Sequence, residues 1–278
     1  MPMSSLTSVP TPPLSVDEVV TRIRERGRAV VALSGGVDSA LVAALAYSAL
    51  GSDAIAVTLT GPAVSAAETA RAGGVAKAIG IPHVLLRSNP LSSVDYRENR
   101  SDRCYFCRSV ESATLRAFGA EHSVVQYLDG VHRDDLTDDR PGLRAMEEAG
   151  FTHPLLWAGW GKVDVRAEAR RRGLPNWDQP SDACLASRIV HGEPVSTELL
   201  ARIESAEAVL LGLGFRRVRV RAEGGSARVE VDPAEVSRLR TEPVAGTVVP
   251  ALLHLGFETV ELDPRGYRGA ALDPLPRP

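Results

Sequence analysis

The sequence predicts an α/β fold, in which a parallel, doubly wound sheet carries helices on both faces and a smaller C-terminal α+β domain follows. The first observation is that short apolar, β-branched runs alternate with helical patterns over the first two thirds of the chain. The second is a change after about residue 191 to strand-period alternation around a hairpin signal. We therefore predict a tail over residues 1–14, a large domain over 15–194 and a small domain over 195–278.

The elements of the first domain follow one another in order. Ser15 and Glu18 have the form of a capping box and predict a helix start, as do Ser65 and Glu68. Residues 41–50 are apolar on nearly every side, which predicts a helix buried against a sheet. The remaining candidates of this domain are strands at 29–33, 53–59, 82–86 and 123–128, and helices at 107–118 and 163–172.

The C-terminal part reads differently. A helix is predicted over 196–211, and strand-period alternation marks 215–221 and 227–231 on either side of Glu223-Gly224-Gly225-Ser226. Two short helices and a last strand at 259–262 complete the predicted α+β unit.

Composition bounds the class of protein. The net charge of −3 gives no global basic field and disfavours a nucleic-acid substrate. No run of 18 apolar residues occurs, and residues 1–13 lack the pattern of a signal peptide, so we expect a cytoplasmic protein without a membrane span. Three cysteines cannot all pair within one chain, which in the cytosol favours a metal-binding or catalytic role.

A glycine loop, Ser34-Gly35-Gly36-Val37-Asp38-Ser39, joins the first predicted strand to the buried helix. Exposed amides and the positive end of the helix favour an anion here, and Asp38 can help to hold Mg²⁺ against phosphates. The loop lacks the lysine of a kinase-type phosphate loop. A plain strand-to-helix turn is the alternative. Asp129-Gly130 also follows a strand, so both loops are predicted at the ligand-binding edge of the sheet.

The cysteines leave several possibilities open. Cys104 and Cys107 have metal-ligand or redox spacing, and Cys184 lies far away in sequence. A thioredoxin-like pair would leave Cys184 without a role. A zinc site would need a fourth ligand, for which the candidates are His132, His153 and His191. An iron–sulfur cluster on three cysteines leaves one iron open. Alternatively, Cys184 acts as a thiolate whose pKa is lowered by Arg188.

Three arginines lie two residues apart, at Arg217, Arg219 and Arg221, and in a strand they would project from one face. Guanidinium groups suit two-point contacts to phosphate. The alternative is a solvated outer face of a small sheet. The acidic run Asp134-Asp135 and Asp138-Asp139 is more typical of a solvated loop than of a metal site.

Taken together, these motifs resemble the LarE family of PP-loop ATP-pyrophosphatases. The matching stretches run from residue 34 to about 268: they are 34–39, 103–108, Asp129-Gly130, Asp134-Asp135, Arg140-Pro141-Gly142, 183–188, Leu262-Asp263 and Gly266-Tyr267-Arg268. The segment Ala183-Cys184-Leu185-Ala186-Ser187-Arg188 is the most distinctive. The chain departs from the family's pattern at Val131-His132 and at Asp139.

The resemblance implies an ATP-dependent sulfur transferase of nickel-pincer nucleotide synthesis. Such enzymes adenylate a carboxylate of pyridinium-3,5-biscarboxylic acid mononucleotide, release pyrophosphate, and exchange an oxygen for sulfur with loss of AMP. The sulfur comes either from a sacrificed cysteine at the position of Cys184 or from a [4Fe–4S] cluster on three cysteines, and Cys104 and Cys107 favour the cluster.

The same resemblance assigns roles residue by residue. Catalytic roles fall on Cys184 and Asp38. It implies ATP and Mg²⁺ at 34–39 with Asp129 and Gly130, and a homo-oligomer. The substrate- or anion-binding residues it implies are Arg140, Arg188, Glu207, Arg219, Arg221 and Glu230. Two rivals stay open, namely another PP-loop enzyme (a tRNA thiolase or an amide-forming synthetase) and a non-catalytic nucleotide- or metal-binding regulator.

Overall fold

The computed structural model describes residues 13–137, 141–180 and 183–268. The chain divides into two compact units, formed by the described residues of Met1–Pro90 with Asp102–Asp182 and of Leu91–Ser101 with Ala183–Pro278. The division therefore falls at residue 183 rather than near 194, and a segment from the middle of the first predicted domain joins the second unit.

The secondary structure follows the chain in order. The helices are α1 (Val16–Arg26), α2 (Val37–Leu50), α3 (Ala66–Ile79), α4 (Val94–Arg97), α5 (Arg103–Glu121), α6 (Pro141–Glu148), α7 (Pro154–Trp157), α8 (Lys162–Arg171), α9 (Thr197–Gly212), α10 (Val236–Leu239) and α11 (Val244–His254). The strands are β1 (Ala29–Ala32), β2 (Ala54–Thr60), β3 (His83–Arg87), β4 (Gln126–Leu128), β5 (Phe151–Thr152), β6 (Val218–Glu223), β7 (Ser226–Val231) and β8 (Thr259–Leu262).

The sheet of the first unit has the strand order β3-β2-β1-β4-β5, and every pairing in it is parallel. This confirms the predicted doubly wound α/β fold. The chain leaves β1 toward β2 on one side and later returns to β4 on the other, so the order reverses between β1 and β4. In such sheets the crevice at the carboxyl ends of those two strands is the place where ligands bind.

Helix α2 lies at the centre of the first unit's core. Its residues from Val37 to Ala46 are nearly all buried, and alanines let it approach the sheet closely. The predicted capping boxes are confirmed: Ser15 N donates to Glu18 Oε2 at 2.7 Å, and Ser65 N donates to Glu68 Oε2 at 2.9 Å. These boxes fix the starts of α1 and α3.

The second unit carries a three-stranded sheet in the order β6-β7-β8. Strands β6 and β7 form the predicted antiparallel hairpin, and β8 adds in parallel beside β7. One face of the hairpin is apolar, with Val218, Val220, Val229 and Val231 buried. The other face carries charged side chains. Within the described residues, no helix is both long and apolar enough to cross a bilayer.

Candidate functional site

The glycine loop lies between β1 and α2, at the point where the strand order reverses. Ser39 Oγ accepts a hydrogen bond from Ser34 N at 3.2 Å and donates to Gly36 O at 3.1 Å, which closes the loop on itself. Gly35 has a φ of +82°, and a Cβ there would lie 3.0 Å from Ala72 N. Gly36 begins α2 without a side-chain cap. The first amides of α2 are therefore placed to meet an anion.

Asn176 makes a hydrogen bond to the backbone of this loop. Its Nδ2 donates to Gly35 O at 2.8 Å, and the side chain is buried. Asn176 lies 141 positions from Gly35, so the sequence analysis had no local signal to find it. Gly35 adopts the left-handed backbone that glycine tolerates, and this hydrogen bond fixes the orientation of its carbonyl group.

Gly130 brings the second predicted loop against the first. A Cβ at Gly130 would lie 2.6 Å from Ser39 N and 2.9 Å from the carbonyl carbon of Asp38. A side chain cannot fit there, so Gly130 is the residue that allows the end of β4 to touch the first turn of α2. The two loops that the sequence predicted at one edge of the sheet meet in the structure.

Asp129, beside Gly130, is held by a buried histidine. His153 Nδ1 lies 2.6 Å from Asp129 Oδ1, and Val131 N donates to the same oxygen at 3.1 Å. Burial opposes protonation of His153, but the hydrogen bond and charge of Asp129, aided by Glu147, outweigh it and raise the pKa of His153. The arrangement favours an imidazolium–carboxylate pair that fixes the orientation of Asp129.

Asp38 carries an ion pair that the sequence analysis did not foresee. Lys162 Nζ lies 2.7 Å from Asp38 Oδ1 and 2.6 Å from Oδ2, so it contacts both carboxylate oxygens. His132 Nε2 is 3.7 Å from Oδ1. Both Asp38 and Lys162 remain about a quarter exposed, at 25% and 24%. The carboxylate proposed for Mg²⁺ is therefore open to the crevice and already faces a cation.

The acidic run beside this site is only partly described. Asp134 Oδ2 accepts from Lys162 N at 2.7 Å, and this hydrogen bond is the main cause of the lowered pKa of Asp134. Asp135 Oδ2 accepts from His132 N at 3.0 Å. Asp134 therefore anchors the start of α8 instead of remaining a purely solvated charge. The predicted substrate residue Arg140 lies outside the described residues, as do Asp138 and Asp139.

Cys104 and Cys107 lie in the first turns of α5, which begins at Arg103 rather than at the predicted 107. Residues three apart on a helix face the same side. Cys104 is exposed, and Cys107 Sγ donates to Glu111 Oε1 at 3.5 Å. A Cβ at Gly142 would lie 3.5 Å from Cys104 Cβ, so α6 packs beside the pair. The two thiols are thus suited to act as neighbouring ligands of one centre.

Cys184 belongs to the second unit, and its turn is tied by its own neighbours. Ser187 N and Oγ donate to Cys184 O at 2.9 and 2.7 Å, and Arg188 Nη1 donates to the same oxygen at 3.0 Å and also to Ala183 O. Within the described ranges, no group of three or more His, Cys, Asp or Glu side chains is arranged as a metal site. Cys104 is exposed, whereas Cys107 and Cys184 are partly buried.

The histidines considered for zinc make other contacts. His153 binds Asp129, and His191 Nδ1 lies 3.2 Å from Asn99 O. His132 lies between Asp38 and Asp135. None of these contacts involves a cysteine.

The arginine strand is not a solvated outer face, which corrects that alternative. Arg219 and Arg221 are 9% and 7% exposed, because their face of the sheet is covered. Arg221 Nε donates to Glu230 Oε1 at 2.7 Å, and Arg219 lies over the ring of Tyr267 at 5.2 Å. Arg217 precedes β6 and lies over the same ring at 5.3 Å.

Two further residues belong to this charged face. Arg228 Nε lies 3.3 Å from Glu230 Oε1 and 3.8 Å from Asp263 Oδ2. Glu230 and Asp263 are 2% and 0% exposed. Buried charges of this kind persist only when they are paired, which explains why the guanidinium and carboxylate groups alternate across the strands.

Comparison with known proteins places the chain in a family. A family model described as NAD synthase matches residues 14–113. The chain is 39% identical over 249 residues to the uncharacterized protein slr1717 of a Synechocystis species, covering 90% of this chain and 93% of the relative.

Two relatives carry functional names. Pyridinium-3,5-bisthiocarboxylic acid mononucleotide synthase of Lactiplantibacillus plantarum is 32% identical over 256 residues, covering 92% of each chain. The tRNA-specific 2-thiouridylase MnmA of Xanthobacter autotrophicus is 33% identical over 202 residues, covering 56% of this chain and 50% of the relative. With the glycine loop at the switch point of a parallel sheet, these similarities show that the chain belongs to the LarE family of PP-loop proteins.

Proposed function

We propose that the chain is an ATP-dependent sulfur transferase of nickel-pincer nucleotide synthesis. It adenylates a carboxylate of pyridinium-3,5-biscarboxylic acid mononucleotide, converts it to a thiocarboxylate and releases AMP and pyrophosphate. The observation that carries the proposal is the packing of Gly130 against Asp38 and Ser39, which creates one anion-binding crevice at the switch point. The similarity to the Lactiplantibacillus synthase supports the choice of substrate.

The first half of the proposed reaction is activation of the carboxylate. The amides at the start of α2 would bind phosphate oxygens, and Asp38 would supply an oxygen ligand to Mg²⁺, which prefers one or two carboxylates together with phosphates. A substrate carboxylate oxygen bonds to the α-phosphorus while pyrophosphate leaves with the bonding electron pair. The resulting mixed anhydride carries AMP, a better leaving group than oxide.

The second half is sulfur transfer. We propose that Cys104, Cys107 and Cys184 hold a [4Fe–4S] cluster, because cysteine thiolates are the usual ligands of such a group. When bound, it would supply sulfide at an iron that no protein ligand occupies. In the alternative, Cys184 Sγ bonds to the activated carbonyl carbon as AMP leaves. Loss of the Cα proton with cleavage of the Cβ–Sγ bond then releases the thiocarboxylate and leaves dehydroalanine.

The charged face of the second unit supports binding of an anionic substrate. Arg219 and Arg221 provide guanidinium groups suited to phosphate, and Glu230 holds Arg221 in place. Glu207 and Arg188 act by fixing the turn that carries Cys184. Arg140 is proposed for the substrate from the family resemblance alone.

The activation step is tested with Asp38→Asn. We expect loss of pyrophosphate release at a wild-type melting temperature. Asp53→Asn is the matched control, because Asp53 is an exposed aspartate with its nearest cation 3.9 Å away. Wild-type pyrophosphate release by Asp38→Asn would remove the assigned role.

The sulfur source is tested by anaerobic iron and sulfide analysis after reconstitution, in the wild type and in single Cys→Ser variants at 104, 107 and 184. Cluster binding that each substitution abolishes supports a three-cysteine centre. A wild type without iron argues against it, and mass spectrometry at position 184 after turnover then tests for dehydroalanine.

A tRNA thiolase is the second candidate, favoured by the similarity to MnmA. It predicts tRNA binding that weakens steeply with salt, because phosphate contacts release counterions. The net charge of −3 opposes it.

We further propose a cytoplasmic homo-oligomer, which sedimentation velocity and cell fractionation would test.

A further inference from the structure

Lys162 is unusual in two ways: lysine is rare in this chain, and Lys162 contacts the carboxylate of the candidate site. Lysine and arginine together number 32, and the lysines among them are Lys77 and Lys162. One of these two lysines contacts both carboxylate oxygens of Asp38, at 2.6 and 2.7 Å. Since arginine serves nearly everywhere else, a property of the lysine ammonium is the natural explanation for its use here.

The contact conflicts with metal binding at the same carboxylate. Mg²⁺ needs a lone pair of an Asp38 oxygen, and the ammonium of Lys162 already engages both oxygens. Two cations on one carboxylate also repel each other. Charge repulsion therefore favours the departure of Lys162 from Asp38 when Asp38 binds the metal.

The surroundings of Lys162 allow its ammonium group to move while its backbone stays fixed. The backbone N of Lys162 donates to Asp134 Oδ2 at 2.7 Å, at the start of α8. The side chain is 24% exposed, so solvent reaches it. A lysine stem is flexible and ends in a point charge, whereas an arginine fork would grip the carboxylate at two points.

The incoming nucleotide offers the ammonium a new partner. Residues 34–39 contain no lysine or arginine, so side chains of the loop cannot neutralise the phosphates. Asp38 lies in the first turn of α2, beside the amides that we assign to phosphate. An ammonium released from Asp38 is therefore already close to the arriving phosphate oxygens.

We propose that Lys162 is an exchangeable counter-ion of the phosphate loop. In the absence of nucleotide it neutralises Asp38 and keeps free divalent metal off the carboxylate. When the metal–nucleotide complex arrives, Asp38 passes to the metal and Lys162 passes to the phosphates, so metal and nucleotide bind cooperatively. The inference rests on the proposed function, because it takes ATP as the ligand of the loop.

The test compares Lys162→Met with wild type, using Mn²⁺ as an oxygen-seeking, paramagnetic stand-in for Mg²⁺. Electron paramagnetic resonance follows free Mn²⁺, first alone and then with α,β-methylene ATP, which cannot release pyrophosphate. In Lys162→Met we expect Mn²⁺ alone to bind about tenfold more tightly and the metal–nucleotide complex about tenfold more weakly. Lys77→Met is the matched control and should match wild type, because Lys77 is an exposed residue of α3.

These opposite changes in affinity, tighter for Mn²⁺ alone and weaker for the metal–nucleotide complex, distinguish the proposed exchange from a structural role of Lys162. Loss of a structural role would weaken the binding of both ligands. Unchanged or weaker Mn²⁺ binding in Lys162→Met overturns it, as does undiminished nucleotide binding. If neither the wild type nor the variants bind the nucleotide analogue, the proposed function fails. The titration with Mn²⁺ alone still decides whether Lys162 keeps the metal off Asp38.

A second measurement uses the unmodified chain. Amine labelling followed by mass spectrometry reports both lysines at once, with Lys77 as the internal reference. We expect Lys162 to become protected relative to Lys77 when Mn²⁺ and α,β-methylene ATP are added together, and not when Mn²⁺ is added alone. Equal protection by Mn²⁺ alone would contradict the exchange.

Discussion

Arg188 and Glu207 form a two-point ion pair inside the second unit, with Nε 2.9 Å from Oε1 and Nη2 3.1 Å from Oε2. The side chains are 4% and 11% exposed. Arg188 Nη1 also donates to Cys184 O, and Glu207 Oε1 accepts from Val220 N at 3.0 Å. The pair therefore links the turn of Cys184 to α9 and β6.

Breaking this pair should destabilise the second unit. Glu207→Ala leaves a buried guanidinium without its carboxylate and is expected to lower the free energy of unfolding by about 3–5 kcal/mol. Urea denaturation measures the loss, and exposed Glu198→Gln should change it by less than about 1 kcal/mol. The double variant Arg188→Met with Glu207→Met should recover part of the loss, because no buried charge is stranded. Strictly additive losses would argue against the pair.

Gly130→Ala should disrupt the meeting of the two loops. The new methyl group would lie 2.6 Å from Ser39 N, a backbone atom that cannot rotate away. We expect a loss of about 1–3 kcal/mol in unfolding free energy and a marked loss of ATP binding. Thermal unfolding and calorimetric titration measure the two effects.

The control for Gly130→Ala is a glycine substitution that we expect to stabilise the protein. Gly73 lies within α3, and a Cβ there would meet nothing within 4 Å. Gly73→Ala should therefore stabilise the protein by up to about 1 kcal/mol through helix propensity. Equal destabilisation by both alanines would show that packing against Ser39 is not the cause.

Asn176→Ala tests the hydrogen bond that Asn176 donates to the glycine loop. Removing Nδ2 leaves Gly35 O without its buried donor, which should cost about 1–3 kcal/mol and weaken binding of α,β-methylene ATP. Asn176→Asp keeps the shape but replaces the donor by a negative charge, so nucleotide binding should weaken further. Wild-type nucleotide affinity in both variants would mean that the turn holds Gly35 without Asn176.

The fold was predictable because its signals are local and repeated. Two capping boxes and an apolar helix after a glycine loop each depend on a few consecutive residues, and the structure has them where expected. The strand Phe151–Thr152 was missed since two residues are too few to show a period. The early start of α5 at Arg103 was missed because the N-cap residue, Asp102, makes no side-chain capping hydrogen bond with the first turn.

The candidate site was predictable only where a local motif marks it. The glycine loop and Asp129-Gly130 could be found because backbone approach demands glycine at fixed positions. Lys162 and Asn176 could not, since each is a single residue more than 120 positions from its partner, Asp38 or Gly35. The burial of Arg219 was likewise invisible, because alternation gives the face of a strand and not what covers it.

The buried pair of His153 and Asp129 should make the stability of the protein depend on pH. Asp129 and Glu147 overcome the cost of burial and raise the pKa of His153 above its ordinary value, with Asp135 adding to the effect. Unfolded histidine titrates near about 6.5. A raised folded pKa means that the folded state binds the proton more tightly. The stabilisation is complete below about pH 6.5 and is lost as pH rises through the folded pKa.

We therefore expect the unfolding free energy of wild type to decline between pH 6.5 and alkaline pH more steeply than that of His153→Gln, which cannot titrate there. The gap between the two proteins should be largest at acid pH and should shrink as pH rises. Urea denaturation at a series of pH values measures it. His254→Gln removes an exposed histidine of α11 and should retain the wild-type slope. A gap that widens with rising pH would mean that His153 is buried neutral, and the charged pair with Asp129 would be wrong.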